Sequence, residues 1–417
     1  MINSKLISRL LIIAYIILSI NSYTAWIRWN PLASSLTVTF IQNVIVFIII
    51  LYPTFKFRHI YNNFKIKQFR LFNLFFLYTV GLSVYSLLVN TSGIEKQDFA
   101  SLWFYIQAMI SCVLVYTFIQ PYWFYKIFRI ILKSIPWLLV FLVLIAKQDN
   151  LGGLFGFILR PIIFILIFIT ILNNKNRLFY LLLTLISIIL SFINDARSNL
   201  IIPLVCLCIG LTINKKVISS IYKFAALCFI ISPFILTYLG VSGSFNIFET
   251  DKYIKSKSFD EGTISDTRTF VYMEVFSSAL NNDYIVCGRG IGRGYESLFQ
   301  ENITQDVRAK SARSYAERHS EVGIHNIFTW GGVVYVIIYT LMWCSIIYYG
   351  MYKSCNIYIY ALAFYLAFYF FYSWVENFQS FSISFISSWF MVALCISPHF
   401  RKMTNMEFKE YINKLLK

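Results

Sequence analysis

The chain has 417 residues, of which 58% are hydrophobic, 19% aromatic and only 13% charged, with a formal net charge of +17. Soluble domains carry about 25% charged residues, so this composition, with a mean hydropathy of +0.67, excludes a soluble enzyme. A basic domain for nucleic acid would gather its charge in one folded soluble unit, and the sequence has none, so no nucleic-acid partner is expected.

Apolar runs of about 17 to 25 residues are long enough to cross the hydrocarbon core as helices. They recur near residues 5–22, 34–53, 71–90, 99–120, 134–147, 154–172, 178–194, 198–214, 217–241, 323–350, 357–375 and 379–397. This predicts an all-α polytopic membrane protein of about 12 transmembrane helices. Four regions follow: residues 1–241 with spans one to nine, a large extracytoplasmic loop at 242–322, the last three spans at 323–397, and an amphipathic cytoplasmic tail at 398–417.

Short cytoplasmic loops collect Lys and Arg. With the amino terminus inside, the cytoplasmic segments hold 21 of the 36 Lys and Arg against two acids, Glu407 and Glu410. The two sides then carry +19 and −2. The net charge therefore records topology: both termini are cytoplasmic, and the 242–322 loop faces the periplasm if the cell is Gram-negative.

The first span follows Lys5 and Arg9 and lacks a clear small-residue cleavage site, so it is expected to stay as an anchor. The fifth, near 134–147, is short, with Pro136 expected in its first turn, where a missing N–H costs little. Arg160 lies inside the run LGGLFGFILRP that opens the sixth span. An ionisable group at that depth faces a polar interior or snorkels to the interface.

Spans seven and eight meet at FINDARSNLIIP, a very short outer turn with Asp195 and Arg197. Arg197 is either half of a local ion pair or a fixed cationic fork suited to phosphate. In the outer loop, Asp266 can cap a helix that begins with Arg268 and carries Phe270, Val271, Val275, Phe276, Ala279 and Leu280 on one apolar face. Such a helix lies on the membrane surface or over the mouth of the bundle. Arg268 then sits at a helix N-terminus, where free N–H groups already favour an anion.

The run CGRGIGRGYES, with Arg289 and Arg293 between glycines, has neither the strand–turn–helix setting of a dinucleotide fingerprint nor the Lys-Ser/Thr ending of a P-loop. It reads either as an anion-binding nest or as a flexible turn. The loop closes with Arg318, His319 and GIHN, placing His325 in the first turn of the tenth span. An imidazole there is either a satisfied interfacial residue or a group that exchanges a proton near neutral pH; His319 is the weaker candidate. No ligand spacing points to a metal, and no cofactor is expected. Of eight cysteines only Cys287 lies in the outer loop, so no disulfide framework is expected. The tail MEFKEYINKLLK places Phe408, Tyr411, Ile412, Leu415 and Leu416 on one face, which is expected to lie on the anionic cytoplasmic leaflet.

Three features in this order resemble the O-antigen polymerase and O-antigen ligase superfamily. They are an Arg in a short outer turn (NDARSNLIIP), a second Arg opening a helix in a large outer loop (DTRTFVYMEVF), and HN at the start of the next span. The resemblance implies a glycosyltransferase C-like membrane fold in the bacterial inner membrane. It implies a metal-independent enzyme that transfers glycan from undecaprenyl pyrophosphate on the periplasmic face. Arg197 and Arg268 would bind the pyrophosphate, and His325 would be placed at the acceptor hydroxyl. Arg160, Arg289, Arg293, Arg318 and His319 are auxiliary candidates. The implied partners are an undecaprenyl-pyrophosphate-linked oligosaccharide, membrane lipids and a chain-length regulator protein. The ligase pattern places a glycine ten residues after HN, whereas here the glycines come early, at Gly331 and Gly332, which favours the polymerase. The alternatives are the ligase, which passes glycan to lipid A-core, and a glycan flippase; no internal repeat of the transporter kind is visible.

Overall fold

The computed structural model describes residues 4–26, 36–56, 67–90, 96–145, 160–193, 197–213, 218–241, 268–296 and 317–416. The chain is mostly helical. Helices α1 (Ser4–Trp26), α2 (Leu36–Lys56) and α3 (Arg70–Val89) are followed by α4 (Lys96–Ile110), which continues through a 3-10 turn into Val115–Phe118. Then come α5 (Pro121–Ile145), α6 (Arg160–Ile163) with a 3-10 stretch Phe164–Ile171, α7 (Asn174–Ile193), α8 (Arg197–Thr212) and α9 (Ile218–Val241). After α10 (Arg268–Asn281) a two-stranded ribbon, β1 (Tyr295–Glu296) with β2 (Glu317–Arg318), leads to α11 (Gly323–Tyr352), α12 (Ile357–Tyr372) and α13 (Ile383–Ile396). The chain ends with α14 (Pro398–Lys402) and α15 (Asn405–Leu415).

Among the described residues, four helical stretches are long and apolar enough to cross a membrane: Lys67–Val89, Asp98–Phe118, Ser220–Leu239 and Gly323–Tyr352. Shorter apolar helices stand beside them, including Ile357–Tyr372 and Ile383–Ile396. Burial sorts the helices into centre and rim. α12 and α13 are buried almost all round, as a helix apolar on every face must be at the centre of a bundle. Small residues let the neighbours close in: a Cβ on Gly350 of α11 would lie 2.5 Å from the Cβ of Ala363 in α12. At the rim α9 exposes Ile221, Phe224, Leu227, Ile231, Phe234 and Ile235, a continuous apolar face that suits lipid.

Three expectations change. Helix α5 starts at Pro121, so Pro136 falls well inside it and not in a first turn; the amphipathic run YWFYKIFRIILK propagates straight into the apolar one. The tail helix α15 does not turn its apolar face to lipid. Phe408 is fully buried against Phe168 and Tyr358, at ring distances of 5.3 and 5.7 Å. The Tyr411 hydroxyl donates to the Pro121 carbonyl (3.1 Å), and the Asn413 amide donates to that of Ile171 (2.9 Å). A ready aromatic platform of the chain's own takes the place of the leaflet. Finally, Leu280 of α10 is 63% exposed, whereas Tyr272, Val275 and Ala279 are buried, so the inward face is rotated toward Tyr272. The proposed cap Asp266 lies outside the described residues, as do 242–267 and 297–316.

The glycine run has a definite task. Helix α11 is interrupted at Gly331 (φ −135°, ψ 15°) and Gly332 (φ 63°, ψ −163°). An unbroken helix would bond the N–H groups of Val333 and Val334 to the carbonyls of Thr329 and Trp330. Here those carbonyls accept from Arg289 N and Gly290 N, both at 2.8 Å, and the two N–H groups donate to Ile285 O (2.8 Å) and Val286 O (3.3 Å). The 285–290 segment is thus laid into the gap and satisfies all four freed groups, as a break in an apolar setting requires. Gly332 has room for nothing else: a Cβ there would lie 2.2 Å from Val286 O. Helix α3 holds the segment from the other side, through Ser86 Oγ to Ile291 N (2.6 Å) and Asn90 Nδ2 to Arg289 O (3.2 Å).

Candidate active site around His325

His325 stands in the first turn of α11 and is only 2% exposed. Its Nδ1 lies 3.0 Å from Ser320 Oγ. Its other ring nitrogen, Nε2, is buried and has no hydrogen-bond partner among the described residues. One helical turn on, the buried hydroxyl of Thr329 also has no such partner, and residues four apart share a helix face. Leaving a buried polar group unmade costs about 1–3 kcal/mol, and a ligand that completes it is one explanation such a group calls for.

Asn326 does different work. Its Oδ1 accepts from Ser320 N and its Nδ2 donates to Ser320 O, both at 3.0 Å. Asn377, in the link between α12 and α13, adds a longer bond to the same carbonyl, 3.4 Å. The two members of the HN pair therefore grip one residue, Asn326 by its backbone and His325 by its hydroxyl.

Helix α10 closes over the imidazole. The Tyr272 ring stands edge-on to His325, with centroids 4.0 Å apart and planes at 82°. Its hydroxyl donates to the Trp374 carbonyl at 2.6 Å. Phe276, a turn further along, packs on Phe328 of α11 at 5.1 Å. Arg268 opens α10, one turn before Tyr272, so the helix brings its N-terminal end within about 6 Å along the axis of the His325 contact.

Arg160 reaches the same region from α6. Its guanidinium lies over the Phe378 ring at 4.8 Å, and Phe378 is flanked by Asn377 and Gln379 and stacked on Tyr369 at 4.9 Å. A guanidinium on an aromatic face is a favourable placement for a charge away from water. Arg197 opens α8, which packs along the 3-10 stretch after Arg160 and against α12. The side chains of Arg197, Arg268 and Arg318 lie outside the described part of the structure.

Arg289 and Arg293 are engaged within the chain. Arg293 Nε bonds both oxygens of Glu317, at 2.7 and 2.8 Å, and its Nη2 also contacts that carboxylate. Arg289 pairs with Glu296 at 2.9 Å and lies 3.8 Å from Glu317. Burial pushes the Glu317 carboxyl up, but the Arg293 hydrogen bonds and charge, the Arg289 charge and the Gly294 N–H (3.0 Å) outweigh it and hold it below the usual carboxylate range. These two arginines therefore close the loop onto β2, and the arrangement is an ordered clamp, unlike either a flexible turn or an open nest. His319 lies against Tyr105, with centroids 4.4 Å apart, on the α4 side of the ribbon.

Sequence reasoning passed over Tyr272, Ser320 and Glu317. Tyr272 carried a signal, since it lies one turn after Arg268 on a helix expected to cover the bundle. Ser320 and Glu317 carried none: the partners of Glu317 lie in the glycine segment far back along the chain, and Ser320 meets His325 and Asn326 only through the way the chain turns into α11. No family model matches the chain, and neither a curated protein nor a solved structure matches it.

Proposed function

We propose that this chain is a surface-polysaccharide polymerase of the bacterial inner membrane. It transfers a growing glycan from undecaprenyl pyrophosphate to a lipid-linked repeat unit at the periplasmic face. The observation that carries this reading is the edge-on contact of Tyr272 with His325. That contact brings the helix opened by Arg268 to a buried imidazole with one nitrogen left for a ligand.

The chemistry requires such a site. An acceptor hydroxyl attacks the anomeric carbon, and the bond from that carbon to the phosphate oxygen breaks with its electron pair remaining on the pyrophosphate. Charge grows on the leaving group, and fixed cationic donors stabilise it best in a site that excludes water. Arg197 and Arg268 take that role, Arg160, over Phe378, is an auxiliary cation, and His325 completes the site. The large apolar surface holds the polyprenyl-linked substrates in the same membrane, and a chain-length regulator fits as the partner that ends elongation.

The test is the lipopolysaccharide profile of a deletion strain, complemented with wild-type, Arg197→Ala, Arg268→Ala or His325→Ala protein. A polymerase predicts one repeat unit on the core in the deletion strain and in each variant, with a ladder restored by wild type. Core with no repeat unit would identify a ligase instead. A full ladder in the deletion strain would exclude both.

A further inference from the structure

The Ser320 hydroxyl has one proton to place, and the geometry leaves it one acceptor. Ser320 is 3% exposed. Its Oγ lies 3.0 Å from Val322 N, whose N–H donates to it, and 3.0 Å from His325 Nδ1. A serine hydroxyl offers one donor and two acceptor sites. If Nδ1 carried the imidazole proton, two N–H groups would donate to Oγ, and the hydroxyl proton would need a third partner. Among the described residues Ser320 Oγ has none besides these two. If Nδ1 is unprotonated, the hydroxyl donates to it, and Ser320 Oγ, Val322 N and His325 Nδ1 are all satisfied. The proton of the neutral ring then sits on Nε2, the nitrogen without a partner.

Ser320 is also held rigidly enough for this to matter. Both of its backbone polar groups are bonded by Asn326 at 3.0 Å, and Tyr272 blocks rotation of the ring from the side at 4.0 Å. We propose that Ser320 is a positioning residue that fixes His325 in the Nε2–H tautomer, so that the ring offers a hydrogen-bond donor to the pyrophosphate oxygens and not a lone pair to the acceptor hydroxyl. This rests on the polymerase reading and alters one role within it. The new bond forms between the acceptor oxygen and the anomeric carbon. The old carbon–oxygen bond breaks with its electron pair on the pyrophosphate, where the His325 N–H and the arginines meet the growing charge. The acceptor proton passes to a pyrophosphate oxygen, which becomes more basic as that charge grows. Ser320 thus plays the orienting part that a partner of an imidazole commonly plays in an active site.

The test combines a spectroscopic and a chemical arm. The full-length protein, labelled with nitrogen-15 in its four histidines and reconstituted in phospholipid bilayers, is measured by solid-state NMR, with His325→Gln identifying the His325 signals. The expected result is a neutral ring protonated at Nε2 in the wild type, a mixture of tautomers in Ser320→Ala, and the wild-type pattern restored in Ser320→Thr. A proton on Nδ1 in the wild type, or an unchanged pattern in Ser320→Ala, overturns the proposal; the wild-type measurement needs no variant to fold. In an elongation assay with a purified undecaprenyl-pyrophosphate-linked oligosaccharide, Ser320→Ala should lose about 10²-fold in rate, within the range for removing an orienting partner of an imidazole, and Ser320→Thr should recover most of it. His325→Gln places an amide N–H near the Nε2 position and should elongate faster than both His325→Ala and His325→Asn. Equal loss in all three overturns the donor role. Wild-type elongation in all three overturns that role alone, no elongation by the wild-type protein overturns the polymerase reading, and the NMR result decides the tautomer in either case.

Discussion

Tyr272 meets His325 edge to face at 4.0 Å, while its hydroxyl is anchored on the Trp374 carbonyl at 2.6 Å. One side chain of α10 therefore ties together the first turn of α11 and the link that follows α12. Placed so, the ring excludes solvent from one side of the imidazole and sets how closely the Arg268 end of α10 approaches it.

Separating the ring from its hydroxyl tests this tie. Tyr272→Phe keeps the edge contact and loses one hydrogen bond, a net of about 1 kcal/mol, and should elongate glycan within a few-fold of wild type. Tyr272→Ala removes the ring and should cost about 3–5 kcal/mol in stability, as large-to-small changes of buried aromatics do. It should also cost at least about tenfold in rate, because a small displacement of a positioned group is expensive. Thermal unfolding in detergent and the same elongation assay read both.

Glycine substitutions test whether the break in α11 is built in. Gly332→Ala combines a φ of 63° with a Cβ 2.2 Å from Val286 O, and should destabilise by about 2–4 kcal/mol through backbone strain and displacement of the inserted segment. Gly81→Ala is the control: it lies in α3 with nothing within 4 Å of the new Cβ, and should be neutral or stabilise by up to about 1 kcal/mol. Equal melting temperatures for the two variants would contradict the tight insertion.

The Glu317 clamp gives a pH dependence of definite sign. Its folded pKa is lowered, so the folded state binds its proton less readily than the unfolded chain, where a glutamate titrates at about 4.3. The stabilisation is therefore fully present above about pH 4.3 and is lost as pH falls toward the lower folded value. Denaturation followed from pH 7 downward should show the loss below about pH 4.3. Glu317→Gln should lose that share of the acid slope and be less stable at neutral pH by about 1–3 kcal/mol, since Arg293 and Arg289 lose a buried partner.

Phe408 decides between a tail that lies on lipid and a tail that caps the bundle. Packed on Phe168 and Tyr358, it should cost about 3–5 kcal/mol when changed to Ala. A tail resting on the leaflet would make Phe408→Ala silent in detergent. The comparison is the melting temperature of the two purified proteins, with trypsin cleavage near Lys402 or Lys409 as a second readout.

Composition and periodicity alone establish that this is a largely helical, membrane-type chain, because an apolar run of given length has few ways to satisfy its backbone away from water. They also single out His325 and the helix beginning at Arg268, since polar residues are scarce enough here for each to be conspicuous. The tertiary structure decides everything that depends on a partner distant in sequence. Ser86 and Asn90 hold the glycine segment, that segment fills the gap at Gly331 and Gly332, and Arg289 and Arg293 turn to Glu296 and Glu317. It also decides that the aromatic face of α15 meets protein and that Ser320 meets His325. A hydrogen bond or a ring contact is a short-range interaction between two surfaces, and the sequence of either surface specifies its own chemistry without specifying which other surface it will face.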